Sequence, residues 1–534
     1  MKNNIFYLAF LVTLSIACSG KEPVKRGVKF DYLIRNGMVV DGMGNPWHRA
    51  DIGIIGDKIA RIGHLPQEQG KSIIDASGKV VAPGFIDIHS HGEARILEDP
   101  TAHNFITQGV TTIVGGNCGG SPLNLREFFG KVDSAGIALN LGVLAGHNSV
   151  RKEVMGNAGR EPTGEELEEM KKIVEEEMQA GALGLSTGLK YQPGVYSKTA
   201  ELIELAKVAS KYGGFYASHL RDEGLKLFES MQEALEIGEK AGIPVQMSHH
   251  KAVGMNMWGK TETSLKMIED ARKRGLDVTA DQYPYSSTFT GITIIFPAWA
   301  LEGTKSEIQK RLDDPETRKR VKEGIIYNIK YDRGGNDIRT VTIAEYSKDT
   351  ALEGKNLAEI LLLKGKELSM ENAAELVLEI YENGGASAIY HCLSEEDLVR
   401  VMKNPLVMHA SDADNAEYNK GKIHPRHYGC FPRVLALYVR ERGELRLEEA
   451  IRKMTSFPAS RIGAQDRGII SEDKYADIVI FDPETVQDKA TWDNPHQYPE
   501  GLDYVFVNGE IVVDHGKITG KLPGKIIYGP GKEK

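Results

Sequence analysis

The sequence predicts an α/β protein: a (β/α)8 barrel of the TIM type, with a small β domain built from both chain ends. Three observations carry this expectation. Short apolar stretches repeatedly end in a polar residue able to bind metal: Phe85-Ile86-Asp87-Ile88 before His89, Ile113-Val114 before Cys118, Tyr216-Ala217-Ser218 before His219, Val245-Gln246-Met247-Ser248 before His249, and Leu406-Val407-Met408 before Asp412. Amphipathic helical segments lie between several of them, with Leu167, Met170, Val174 and Met178, then Leu227, Met231, Ala234 and Leu235, at helical spacing. Strands alternating with helices build a parallel sheet, and a closed barrel draws its functional residues from the carboxyl ends of different strands. Third, strand-like runs at 30–37, 51–60, 476–481 and 503–509 surround turn residues, with Asn508-Gly509 a hairpin signal.

The elements follow in order. Lys2 precedes an apolar run from Ile5 to Ala17, too short to span a bilayer comfortably and typical of a signal peptide. It closes on Leu14-Ser15-Ile16-Ala17-Cys18-Ser19-Gly20, which resembles a bacterial lipobox with its leucine one position further from the cysteine than usual. Residues 1–18 are therefore expected to be a lipoprotein signal peptide and 19–27 a tether. Lipidated Cys18 would hold the protein in the bacterial cell envelope; an ordinary secreted or periplasmic protein is the alternative. The β domain takes residues 28–85 and 462–534, and the barrel 86–461. Residues 303–385 hold no candidate ligand and read as an insertion or lid bearing on substrate choice.

Composition narrows the function. A chain of 534 residues can hold a barrel and a second domain, and 41% hydrophobic residues is ordinary for a soluble enzyme. A net charge of −9 with no basic stretch excludes a nucleic-acid-binding role. Membrane contact is expected only through the N-terminal anchor. The cysteines beyond Cys18 are Cys118, Cys392 and Cys430, without the paired spacing of a disulfide framework.

His89 and His91 are the most informative pair. Residues two apart on a strand share a face, so both can reach one metal ion at the mouth of a barrel. Two surface histidines would read the same way, so the pair gains its weight from Cys118, His219, His249 and Asp412 downstream.

With these residues in hand, the chain resembles the amidohydrolase superfamily and, within it, the D-aminoacylase (N-acyl-D-amino-acid deacylase) family. The resemblance runs from about Phe30 to nearly the C-terminus. It rests on Gly84-Phe85-Ile86-Asp87-Ile88-His89-Ser90-His91, Gly116-Asn117-Cys118-Gly119, Ser218-His219-Leu220-Arg221-Asp222-Glu223, Ser248-His249-His250-Lys251, Asp281-Gln282-Tyr283-Pro284-Tyr285 and His424-Pro425-Arg426. The Asn-Cys-Gly and His-Pro-Arg segments are the specific ones. The resemblance implies a β-sandwich beside the barrel and one tightly held zinc on Cys118, His219 and His249. It implies a second, weaker metal site at His89 and His91. Asp412 becomes the catalytic carboxylate, and Arg426, with Lys251, Tyr191 and Tyr283, lies near the substrate carboxylate. The chain departs from the family at Gly92-Glu93-Ala94-Arg95 and Ala413-Asp414-Asn415, two loops expected to border the pocket.

Physical chemistry agrees with this set. Catalytic zinc takes three protein ligands, thiolate and imidazole among them, plus water. A carboxylate beside that water can take its proton and return it to the leaving nitrogen. Arg426 offers a planar fork for a carboxylate. His103, His147, His391, His409 and His496 lack such context and read as structural; His250 should face away from His249. Lys190, which could suggest a carboxylated bridging lysine, reads as an ordinary residue because Cys118 suits that position. Cys392 and Cys430 read as packed thiols. The substrate expected is a small N-acyl-D-amino acid, or alternatively a dipeptide with a D-residue at its carboxyl end. A hydantoinase-type cyclic amidase fits less well. A non-catalytic binding lipoprotein would be expected to have lost ligands or Asp412, and all are present.

Overall fold

A computed structural model describes residues 29–533 except Gly334. The expected signal peptide and tether lie outside the described residues. Eight parallel strands form the barrel: β1 (Phe85–Asp87), β2 (Val110–Gly115), β3 (Asn140–Val143, resumed at Ala145–Gly146), β4 (Gly184–Gly188), β5 (Phe215–His219), β6 (Val245–Met247), β7 (Val278–Gln282) and β8 (Val407–His409). Each pairs in parallel with the next from β1 to β8. Every residue of β2, β4, β5, β6 and β7 is buried, as expected of strands covered on both faces.

The ring closes between β8 and β1 just past the strand ends. The Asp412 N–H donates to His89 O at 2.8 Å, and the His91 N–H to Ala413 O at 2.8 Å. Buried Asp87 accepts from the Ser411 N–H at 3.0 Å and from the Ser411 hydroxyl. The closing seam thus carries His89, His91 and Asp412 and presses them together.

The outer helices follow the apolar pattern of the sequence. Helix Gly164–Ala180 starts with a reciprocal cap between Thr163 and Glu166 and stops at Gly181, whose φ of 112° few other residues tolerate. Met170, Val174 and Met178 are buried on its barrel side, each worth about 1.5–3 kcal/mol of transfer free energy. Helix Leu227–Ala241 buries Leu227, Met231, Ala234 and Leu235 in the same manner.

The chain ends share one sheet. Strand Val80–Pro83 pairs in parallel with Phe30–Val39 on one side and antiparallel with Ile478–Phe481 on the other. Ile34, Ile52, Ile54 and Ile59 pack against Ile478, Ile480 and Phe506, so the sheet closes over its own core as a sandwich does. Between β7 and β8 a subdomain is inserted. Its antiparallel sheet joins Thr288–Gly291, Ser387–Tyr390 and Val341–Glu345. Helices Pro315–Tyr331 and Met370–Glu382 give it its own core of Val321, Ile325, Ile329, Leu376, Val377 and Ile380.

Candidate metal centre

The barrel mouth gathers the candidate ligands. Cys118 Sγ lies 3.4 Å from His89 Nε2, 3.4 Å from His249 Nε2 and 3.7 Å from His219 Nδ1. Asp412 Oδ1 lies 3.5 Å from His89 Nε2 and 3.3 Å from His91 Nε2. Donor atoms of His89, Cys118, His249 and Asp412 all fall within 4.8 Å of one another. Cys118 therefore stands between two donor groups, one with His219 and His249 and one with His89, His91 and Asp412. One thiol and several imidazoles converging from separate strands is a donor set suited to zinc.

The backbone is bent to make this possible. Cys118, His249 and Asp412 have φ of 52°, 35° and 53°, a region unfavourable for residues with a side chain and costing on the order of 1–3 kcal/mol each. Such strain concentrates where function requires it. The loop bearing Cys118 also needs room: a Cβ on Gly188 would sit 2.0 Å from Cys118 O, and one on Gly116 2.2 Å from Leu144 O.

Two buried carboxylates behind the cluster hold it in place. Asp281 accepts from the His249 N–H at 2.7 Å and from Gln246 Nε2 at 2.7 Å, and lies 3.2 Å from His89 Nδ1. Glu223 lies 3.1 Å from His249 Nδ1 and 3.6 Å from His219 Nε2. Each of these imidazoles points one nitrogen at Cys118 and the other at Glu223, which fixes its orientation. Neither acid was singled out as a functional residue from sequence, although both fall in motif segments.

Beside the cluster Arg426 Nη1 donates to Asp412 Oδ2 at 2.6 Å. Its guanidinium rests over Tyr283 and Phe289, with ring centroids 5.0 and 5.6 Å away. Arg426 Nε and Tyr283 Oη are buried without a protein partner. Lys251 Nζ lies 2.6 Å from Glu223 Oε1 and 2.7 Å from His249 Nδ1. Tyr191 packs on His219 at 4.6 Å between centroids and accepts a hydrogen bond from Thr290 at 3.2 Å.

Electrostatics favour an ionised thiol and an ionised carboxylate at the centre. Burial pushes the Cys118 thiol up, but His89 and His249 beside it prevail and hold it well below its usual value. Burial opposes ionisation of Asp412 too; Arg426 and His91 outweigh it and keep the carboxylate charged. Burial lowers His219, leaving a neutral imidazole fit to bind metal.

These groups line a cleft of about 300 Å³ that also includes Asp414 and, from the insertion, Arg333 and Ser387. A second cavity of about 310 Å³ shares His91, Phe289 and Asp414 with it and adds Arg95 and Glu345. Thus the loops after His91 and after Asp412 do border the open space.

Most of the histidines read as structural are engaged elsewhere. His103 lies 2.7 Å from Asp99, His147 2.8 Å from Glu201 and His391 2.8 Å from Ser287 Oγ. His250 turns to Ser264 Oγ at 2.7 Å, away from the cluster, and His496 contacts the carbonyl of Lys420 at 2.9 Å. His409 is buried with neither ring nitrogen hydrogen-bonded. Lys190 pairs with Asp332 at 2.9 Å, and Cys392 and Cys430 are buried free thiols.

The profile of the amidohydrolase family matches residues 72–322 and 376–513; the gap between the two blocks falls in the insertion. A D-aminoacylase of Alcaligenes xylosoxydans xylosoxydans is 34% identical over 521 residues, covering 93% of this chain and 97% of that one. A D-aminoacylase structure described by its binuclear metal centre superposes with a TM-score of 0.80 at 32% identity, covering 93% of this chain and 99% of that one. The N-acyl-D-glutamate deacylase of Bordetella bronchiseptica, solved with zinc and a phosphonate mimic of the tetrahedral intermediate, gives 0.79 at 32% identity, covering 94% and 100%.

Proposed function

This chain belongs to the amidohydrolase family, in its D-aminoacylase branch, and from that premise we propose that it is a zinc-dependent hydrolase of N-acyl-D-amino acids. The observation that carries the reading is the meeting of two chemistries in one cleft. Cys118, His219 and His249 form a metal-binding corner, and Asp412 stands beside it, paired with Arg426. His89 and His91 offer a second, weaker metal position. Zinc held here would polarise the acyl carbonyl and lower the pKa of water.

The side chains then have distinct tasks. Asp412 takes a proton from the attacking water and delivers it to the amide nitrogen as the C–N bond breaks, giving a carboxylate and a free amine. Arg426 binds the substrate carboxylate through its free Nε edge, aided by the Tyr283 hydroxyl, Lys251 and Tyr191. Carbonyl, carboxylate and side chain then fix three points around the α-carbon, which selects one enantiomer, and the relatives favour D. A screen of N-acetyl-D- and N-acetyl-L-amino acids tests this. Hydrolysis confined to the D series supports the reading, and equal rates on the L series overturn it.

A second reading is a dipeptidase for substrates with a D-residue at the carboxyl end. The adjoining cavity favours it, because Glu345 and Asp414 line that space with carboxylates able to receive the ammonium group of an aminoacyl unit. Faster turnover of L,D-dipeptides than of N-acetyl-D-amino acids would select this reading. We also propose that Cys18 anchors the enzyme in the cell envelope, since the several chains of a bacterial lipoprotein anchor bind stably where one does not. Cys18→Ser should release the protein from the membrane fraction; unchanged fractionation would point to a plain secretory signal.

A further inference from the structure

The inserted subdomain reaches the metal-binding corner through one side chain. Helix Pro315–Tyr331 ends at Tyr331, and two residues later Arg333 is 2% exposed and lines the cleft. Its Nη2 donates to Glu223 Oε2 at 3.1 Å. Asp332 stands beside it, 3.9 Å from Arg333 Nε, and is itself held by Lys190 at 2.9 Å. The arginine is thus fixed within a buried network of alternating charge.

The two oxygens of Glu223 divide the work. Oε1 faces Lys251 Nζ at 2.6 Å and His249 Nδ1 at 3.1 Å. Oε2 faces Arg333 Nη2 at 3.1 Å and His219 Nε2 at 3.6 Å. Each oxygen therefore has one cation and one histidine. Without Arg333, Lys251 alone would draw the carboxylate toward His249 and leave His219 unsupported. A carboxylate behind a histidine ligand sets its tautomer and orientation, and losing such a partner typically weakens metal binding about 10–100-fold.

We propose that Arg333 is a positioning residue for the metal centre: it holds Glu223 Oε2 against His219, so that the inserted subdomain sets the zinc affinity of the Cys118, His219 and His249 corner. The proposal rests on the reading of that corner as a zinc site, and not on the identity of the substrate.

The test measures zinc affinity of the whole purified protein by competition with a chromogenic chelator. Thermal unfolding of the metal-free protein is followed in parallel. Arg333→Met keeps the bulk of the stem and removes the charge; it should weaken zinc binding about 10–100-fold. Arg333→Lys should recover part of that loss. Glu223→Gln should weaken zinc comparably, and the double variant should be no weaker than Glu223→Gln alone, because the arginine acts through the acid. A role confined to packing the insertion would lower the unfolding midpoint of the metal-free protein in both Arg333 variants without this pattern. Unchanged zinc affinity in Arg333→Met, or losses that simply add in the double variant, overturn the proposal. Should Arg333→Met fail to fold, Arg333→Lys decides: weakened zinc binding with a normal metal-free midpoint supports it, and wild-type affinity overturns it. If the wild-type protein binds no zinc at this corner, the metal reading and the proposal fall together. If it binds zinc but hydrolyses no N-acyl-D-amino acid, only the substrate reading falls.

Discussion

Arg426 Nη1 and Asp412 Oδ2 are 2.6 Å apart, both side chains nearly buried, so the proposed proton carrier and the proposed substrate anchor form one ion pair. A carboxylate paired with a guanidinium is a poor base. A substrate carboxylate bound at Arg426 as proposed would share that positive charge and loosen its hold on Asp412. The proposed anchor would thereby bear on the chemical step as well as on binding.

Replacement of Arg426 should expose this link. Arg426→Ala is expected to lower kcat/KM for N-acyl-D-amino acids by roughly 10–100-fold, the worth of a hydrogen bond to a charged group. The matching amides, which lack the carboxylate, should lose much less. Steady-state kinetics on acid and amide pairs decides; equal losses on both would remove Arg426 from the anchoring role.

Asp412→Asn keeps the shape and removes the basicity. General acid–base catalysis is worth roughly 10²–10⁴, and kcat should fall in that range while zinc stays bound. Metal analysis alongside kinetics separates this outcome from loss of metal.

Cys118→Ala should release the tightly held zinc and abolish turnover, because two imidazoles remain where three protein ligands are required. Full zinc occupancy in the purified variant would refute the assignment of that ligand.

A fourth expectation concerns acid stability. Glu201 is buried between His147 at 2.8 Å and Arg151. Burial works against its ionisation, but the His147 hydrogen bond and the Arg151 charge prevail, and its carboxyl lies below the ordinary value. A lowered folded pKa gives stability that is fully present above the unfolded glutamate value of about 4.3 and is lost as pH falls through the folded value. Glu201→Gln should cost about 3 kcal/mol near neutral pH by stranding buried Arg151. Its unfolding midpoint should also fall less steeply than the wild type's as the pH drops below about 4. Parallel slopes in thermal scans from pH 7 to 3 would assign the acid response to other carboxylates.

Much of this architecture was legible in the chain. Cys118, His219, His249 and Asp412 each end an apolar run, and a parallel strand ending at a barrel mouth has that signature. Motif resemblance then supplied their grouping. Glu223 was harder to recognise, because Arg221-Asp222-Glu223 has the look of a solvated loop. Its burial makes sense only beside Lys251 and Arg333, the second of them 110 residues downstream. Arg333 carried no signal, since it follows a charged helix and belongs to no motif. Asp87 and Asp281 left a fainter mark, as single acids inside short buried strands whose partners, Ser411 and the His249 N–H, lie just past the ends of neighbouring strands.

The sheet shared by the two chain ends has a consequence for synthesis. Val80–Pro83 finds one of its two neighbours, Ile478–Phe481, roughly 400 residues later in the chain. At about 5–20 residues per second, a ribosome leaves that apolar edge open for tens of seconds after the first strands emerge. During that interval Val80, Val81 and Ala82 offer unpaired backbone to any other nascent chain. The end domain can form only after translation is nearly complete, so the barrel must assemble beside a half-built neighbour, and yield in the cell will depend on whatever shields that strand in the meantime.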